Sequence, residues 1–83
     1  MISPVAEEAA RRRSSEERLR IARELHDIIG HSLGTIAVQA GVGRHLMETE
    51  PEKAADALDN IAKISRESLD EVRSVVATRA RDQ

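Results

Sequence analysis

A chain of 83 residues is one domain at most. It has no Trp, Tyr, Phe or Cys, so any core is aliphatic, and disulfides, thiolate metal sites and cysteine redox chemistry are excluded. Four Gly, two Pro, 34% charged residues and a net charge of −2 describe long exposed helices and argue against a sandwich or barrel.

The first predicted element is a helix over about 5–47. Its apolar stripe is Ala22, Leu25, Ile29, Leu33, Ile36, Ala40, Gly43 and Met47, at spacings of three and four, the pattern of a coiled-coil seam. Residues 1–14 precede this stripe and read as a linker or helical extension that is weakly anchored. The link Glu48-Thr49-Glu50 leads to Pro51, which suits a first helical position because its missing N–H is unpaired there anyway. Thr49 or Glu50 is the expected cap. A second helix is predicted over about 51–78, with the stripe Ala54, Leu58, Ile61, Ser65, Leu69, Val72 and Val76. The polar tail 79–83 is expected to fray.

A short link makes the helices antiparallel neighbours. A hairpin shields only one side of each stripe, and small chains bury little surface alone. The expected fold is therefore all-α: an antiparallel helical hairpin that forms a homodimer and so a four-helix bundle. Leu25, Ile29, Leu33, Ile36, Leu58, Ile61, Leu69 and Val72 are its expected dimer core.

The chemistry is expected in Glu24-Leu25-His26-Asp27-Ile28-Ile29-Gly30-His31. His, Asp and Gly are weak helix formers, and a mid-helix Gly costs about 1 kcal/mol relative to Ala. At about 100° per residue, His26 lies about 60° from Ile29, at the flank of the apolar stripe. Gly30, Gly34 and Gly41 share one outer strip that has almost no side chains. The strip reads as a docking surface, lined by Arg23, Gly30 and Gly34, against the blander readings of glycines scattered by drift or packed closely against a partner helix. Asp27 also stands four residues after Arg23, the spacing of a surface ion pair. His45 near the helix C-terminus suits the helix dipole. No metal site is expected, since His26 and His31 are five residues apart and Asp27 points away from His26.

The stretch Glu17-Arg18-Leu19-Arg20-Ile21-Ala22-Arg23-Glu24-Leu25-His26-Asp27, with Gly30-His31 and Leu33, resembles the dimerisation and histidine-phosphotransfer domain of sensor histidine kinases. The subfamily it resembles partners response regulators with helix-turn-helix outputs. Pro51-Glu52-Lys53-Ala54-Ala55 and Ser68-Leu69-Asp70-Glu71-Val72-Arg73 are similar to that family's second helix, so the likeness spans about 15–77.

The resemblance implies that His26 is the phosphoacceptor and that Asp27 assists removal of its proton. It implies that His31 stands where family members carry Gln, or His as a variant, to dephosphorylate the regulator. The implied partners are a second copy, a response-regulator receiver domain and an ATP-binding kinase domain. The sequence has no glycine-rich ATP lid and no asparagine-bearing nucleotide box. The expectation is therefore a module that binds no cofactor itself, takes phosphate from ATP with Mg through a separate domain, and does not phosphorylate itself. A cytoplasmic location is expected, in a parent protein that can be membrane-anchored, because no run approaches the roughly 18 apolar residues of a membrane span.

Two alternatives come from other classes. One is a passive helical dimerisation or signalling-linker module with an inert His26. The other, a nucleic-acid binder built on Arg11-Arg12-Arg13, is disfavoured because the arginines alternate with Glu16, Glu17 and Glu24 and no aromatics are present for stacking.

Overall fold

The computed structural model describes residues 3–81. Two helices make up the fold, α1 (Pro4–Leu46) and α2 (Pro51–Arg81), packed as an antiparallel hairpin. Ser3 caps α1: its hydroxyl accepts a hydrogen bond from the Ala6 N–H at 3.1 Å, with Pro4 in the first turn. The turn between the helices is short. The Glu50 N–H donates to the Leu46 carbonyl at 2.8 Å, and the Ala54 N–H donates to the Glu50 carbonyl at 3.1 Å, so Glu50 is the residue that opens α2.

The seam between the helices is made of small side chains. Ser32 and Gly43 of α1 and Ala54 and Ala57 of α2 are its buried residues. Ile21, Leu25, Ile28 and Ile36 of α1, and Ile61, Ile64, Val72 and Val75 of α2, flank them half-buried. The Ser32 and Ser68 hydroxyls hydrogen-bond across the seam, and Ser32 Oγ also donates to the Ile28 carbonyl. Nearer the turn, Asn60 Nδ2 donates to Gln39 Oε1 at 3.3 Å.

This seam lies to one side of the stripe read from the sequence. Ile28 and Ser32 face α2, whereas Ile29 (47% exposed) and Leu33 (60%) turn outward. On α2, Ala54, Ile61, Ser65 and Val72 pack at or beside the seam, while Leu58, Leu69 and Val76 stay exposed. The reason is geometric. An apolar arc broader than one neighbour can cover is divided, part going to α2 and part being left free. The free parts of the two helices meet on one side of the hairpin. Ala40 and Met47 of α1 share a groove of about 350 Å³ with Pro51 and Leu58 of α2.

At the open end, α2 continues through Arg81, into the tail expected to fray. Arg79 anchors it by an ion pair with Glu17 at 3.3 Å and a second with Glu24. Residues 82 and 83 lie outside the described residues. Because Arg79 sits opposite Glu17 and Glu24, the first three turns of α1 extend beyond α2, and the hairpin is a rod 72 Å long.

Of the four glycines, Gly43 is the one that faces α2 closely. A methyl group there would lie 3.5 Å from Ala57 Cβ and 3.7 Å from the Ala54 carbonyl oxygen, which is ordinary van der Waals contact. Gly43→Ala is therefore expected to fit and to raise stability by about 1 kcal/mol through helix propensity. Gly43→Leu is expected to force the helices apart and cost about 1–3 kcal/mol. Urea unfolding followed by circular dichroism distinguishes the two signs.

Candidate functional site

His26 and Asp27 stand at the middle of α1, more than five turns before its end, and both are exposed. His26 is on the side of α1 turned from its own α2, about 160° around from Ile28 and 120° from Ser32. It borders the free apolar face that carries Ile29 and Leu33. Among the described residues, neither His26 nor Asp27 makes a hydrogen bond or ion pair within the chain. The expected Arg23–Asp27 pair does not form. Arg before Asp is the less favourable order at this spacing, and two solvated side chains gain too little to hold one geometry. Arg23 is left exposed on the same flank as Gly30.

Within the hairpin, the close-packing reading of the glycine strip fails. A methyl group at Gly30, Gly34 or Gly41 would meet nothing within 4 Å. These residues are not close-packing positions against α2, and only Gly43 is. Gly30 and Gly34 instead line an open groove with His31, Thr35 and Val38. A ligand or protein surface entering there meets helix backbone at Gly30 and Gly34, and two exposed valines further along, Val38 and Val42.

His31 stands at the edge of the seam, about 60° around α1 from Ile28. Besides the outer groove it borders a second one, of about 180 Å³, on the polar side of the hairpin. Ser32 and Thr35 from α1 and Ile64, Glu67, Ser68 and Glu71 from α2 line that groove. Sequence reasoning put His31 with Asp27 on a solvent-facing line and did not identify Glu67 or Glu71. Their only signal was a pair of carboxylates at i, i+4 beside Ser68, which does not say what they face.

His26 and His31 are thus on different sides of one helix, about 140° apart. The arrangement offers an accessible imidazole with a carboxylate next in sequence, and a second imidazole between the open Gly30–Gly34 groove and an acidic groove. No group of three or more His, Asp or Glu among the described residues is placed to hold a metal ion. No helix among them is long and apolar enough to cross a membrane.

Residues 17–82 match a family model described as histidine kinase. Three sensor histidine kinases of Bacillus subtilis (strain 168) are similar to the chain. DesK is 43% identical over 63 residues, covering 76% of this chain and 17% of its own length. YxjM is 40% identical over 68 residues, covering 82% and 17%. YvfT is 36% identical over 62 residues, covering 75% and 17%. The chain therefore spans about a sixth of the length of these relatives. No solved structure matches it.

Proposed function

The chain belongs to the histidine kinase family, as its dimerisation and phosphoacceptor domain, and from that premise we propose that His26 is the residue that carries the phosphoryl group. The observation that carries this reading is the free imidazole of His26, exposed mid-helix beside Asp27 and above a strip of α1 without side chains. A neutral imidazole is a nucleophile through its unprotonated nitrogen. That nitrogen attacks the γ-phosphorus of ATP held with Mg by a separate domain. The N–P bond forms, the P–O bond to ADP breaks, and its electron pair leaves with ADP. Asp27 accepts the ring N–H on the other nitrogen and favours its loss. The phosphoryl group then passes to an aspartate of a response-regulator receiver domain, which docks along Arg23, Gly30 and Gly34.

His31 serves the reverse task. A water attacks the regulator's aspartyl phosphate, and the bond from phosphorus to the carboxylate oxygen breaks with its electron pair left on the carboxylate. The His31 imidazole takes up the water's proton until solvent removes it.

A second copy completes the bundle. It covers Ile29, Leu33, Leu58, Leu69 and Val76, the exposed apolar residues that share one side of the hairpin. Leu25, Ile36, Ile61 and Val72 border that side half-buried and complete the dimer core.

Three outcomes are expected. Incubation with a matching ATP-binding domain and ATP labels the chain with acid-labile, alkali-stable phosphate, and His26→Gln abolishes the label. A folded dimer that stays unlabelled would instead favour a passive linker with an inert histidine. In sedimentation, wild type is a dimer and Leu33→Asp is not, because a buried unpaired charge costs several kcal/mol. Leu33 is 60% exposed in the single hairpin, so the same change costs little there and the loss reports on the dimer. Gly30→Leu raises helix stability slightly, since Gly is the poorer helix former, yet slows phosphotransfer to the regulator. Thermal unfolding and a transfer assay then move in opposite directions, and normal transfer by Gly30→Leu refutes the docking strip.

A further inference from the structure

The polar side of the hairpin carries a line of α1 residues spaced by seven: Glu17, Glu24 and His31. Residues seven apart stand two turns above one another on the same side of a helix. Glu17 and Glu24 both reach across to α2, where they pair with Arg79. Two turns beyond His31 toward the helix end, Gln39 also reaches across, to Asn60. His31 lies between these links, and the α2 side chains beside it are Glu67, Ser68 and Glu71.

The three polar groups on α2 are not equivalent. Ser68 is committed to Ser32 across the seam. Glu67 is shared with Lys63, 3.9 Å away. Glu71 has no hydrogen bond or ion pair among the described residues, so its carboxylate is available to the groove. The register brings it within reach. Ser32 pairs with Ser68 at the level of His31, and Glu71 is one turn of α2 from Ser68 toward the open end, where Arg79 spans a comparable offset to reach Glu24. On its own helix, His31 has Asp27 one turn before it and Thr35 one turn after it, and the Thr35 hydroxyl is spent on the His31 carbonyl.

His31 also borders the outer groove of Gly30, Gly34 and Val38, so its imidazole stands between an acidic groove and a docking groove. We infer that Glu71 is a positioning residue for His31. Its carboxylate accepts the N–H of one ring nitrogen across the interhelix groove, and the other nitrogen then presents its lone pair to the Gly30–Gly34 groove, where the regulator's aspartyl phosphate arrives. A carboxylate that holds one ring nitrogen fixes the tautomer of the ring and makes the other nitrogen a better proton acceptor. The inference rests on the reading of His31 as the residue that takes the proton from the attacking water.

Two measurements test it separately from that reading. The first uses this chain alone, with ¹⁵N-labelled histidine, and reads the His31 ring-nitrogen shifts that report the tautomer. Wild type is expected to hold one tautomer, and Glu71→Gln to shift toward a mixture while helicity stays the same. Unchanged shifts in Glu71→Gln overturn the inference. A change on Glu67→Gln or Asp27→Asn, without one on Glu71→Gln, assigns the role to another carboxylate and overturns it equally. The second measurement is dephosphorylation of a phosphorylated regulator by the dimer. His31→Ala and Glu71→Gln are both expected to slow it, Glu71→Gln by on the order of tenfold, as for loss of a residue that orients a reactive histidine, and Glu71→Asp to restore part of the rate. If His31→Ala is without effect, the reading of His31 fails. If His31→Ala slows the reaction and Glu71→Gln does not, the reading of His31 stands and the role of Glu71 is refuted.

Discussion

A two-helix hairpin has one internal interface, and each of these helices carries more apolar surface than one interface can cover. That constraint organises the molecule. The seam takes the smallest residues, Ser32, Gly43, Ala54 and Ala57, and buries no large side chain completely. Large aliphatic residues are left on one side, where Ile29, Leu33, Leu58 and Leu69 are about half exposed or more. The hydrophobic free energy needed to hold the helices is therefore not collected within one chain. The seam and the free apolar side are separate parts of each helix, so packing α1 on α2 leaves the larger aliphatic residues in water.

The division of the arc also sorts the chemistry. The apolar side, the outer flank of α1 and the polar side of the hairpin lie in order around α1. His26 stands between the first two and His31 between the last two. Five residues of separation in one helix are enough to give two imidazoles different neighbours. His26 has solvent and the edge of the free apolar face. His31 has Thr35 and carboxylates from the opposite helix. One continuous helix thus gives its two mid-helix histidines distinct surroundings.

Much of this is legible in the sequence. Pro51 after the acidic link marks the start of α2, the three-and-four spacing of aliphatics gives both helices, and the short link gives their antiparallel order. The run from Glu17 to Asp27 carries the family. The exact seam is not legible. Hydrophobic periodicity weights Ile29 and Leu33 above Ser32 and Gly43, yet the smaller residues are those that let two backbones approach. Nor is anything that depends on the register between the helices. The Arg79 pairs with Glu17 and Glu24 join residues 62 and 55 positions apart, and the His31 groove needs residues from both elements. Arg79 also explains why the polar tail keeps its helix: one cation with two carboxylate partners secures a turn whose sequence alone reads as weak.

The shallow seam has a mechanical meaning. Interlocked bulky side chains act like deep gear teeth, and moving one helix past another then means lifting each tooth out of its notch. Ser, Gly and Ala give shallow teeth, so sliding or rolling α1 against α2 crosses low steric ridges. What resists such motion is a few discrete catches, the Ser32–Ser68 hydroxyls, the Asn60–Gln39 amides and the Arg79 pairs. A part held by catches and not by meshing stays put under small loads and moves as a unit once a catch opens. Torque applied to the overhanging end of α1 would therefore be converted into a step, carried along an uninterrupted helix to His26.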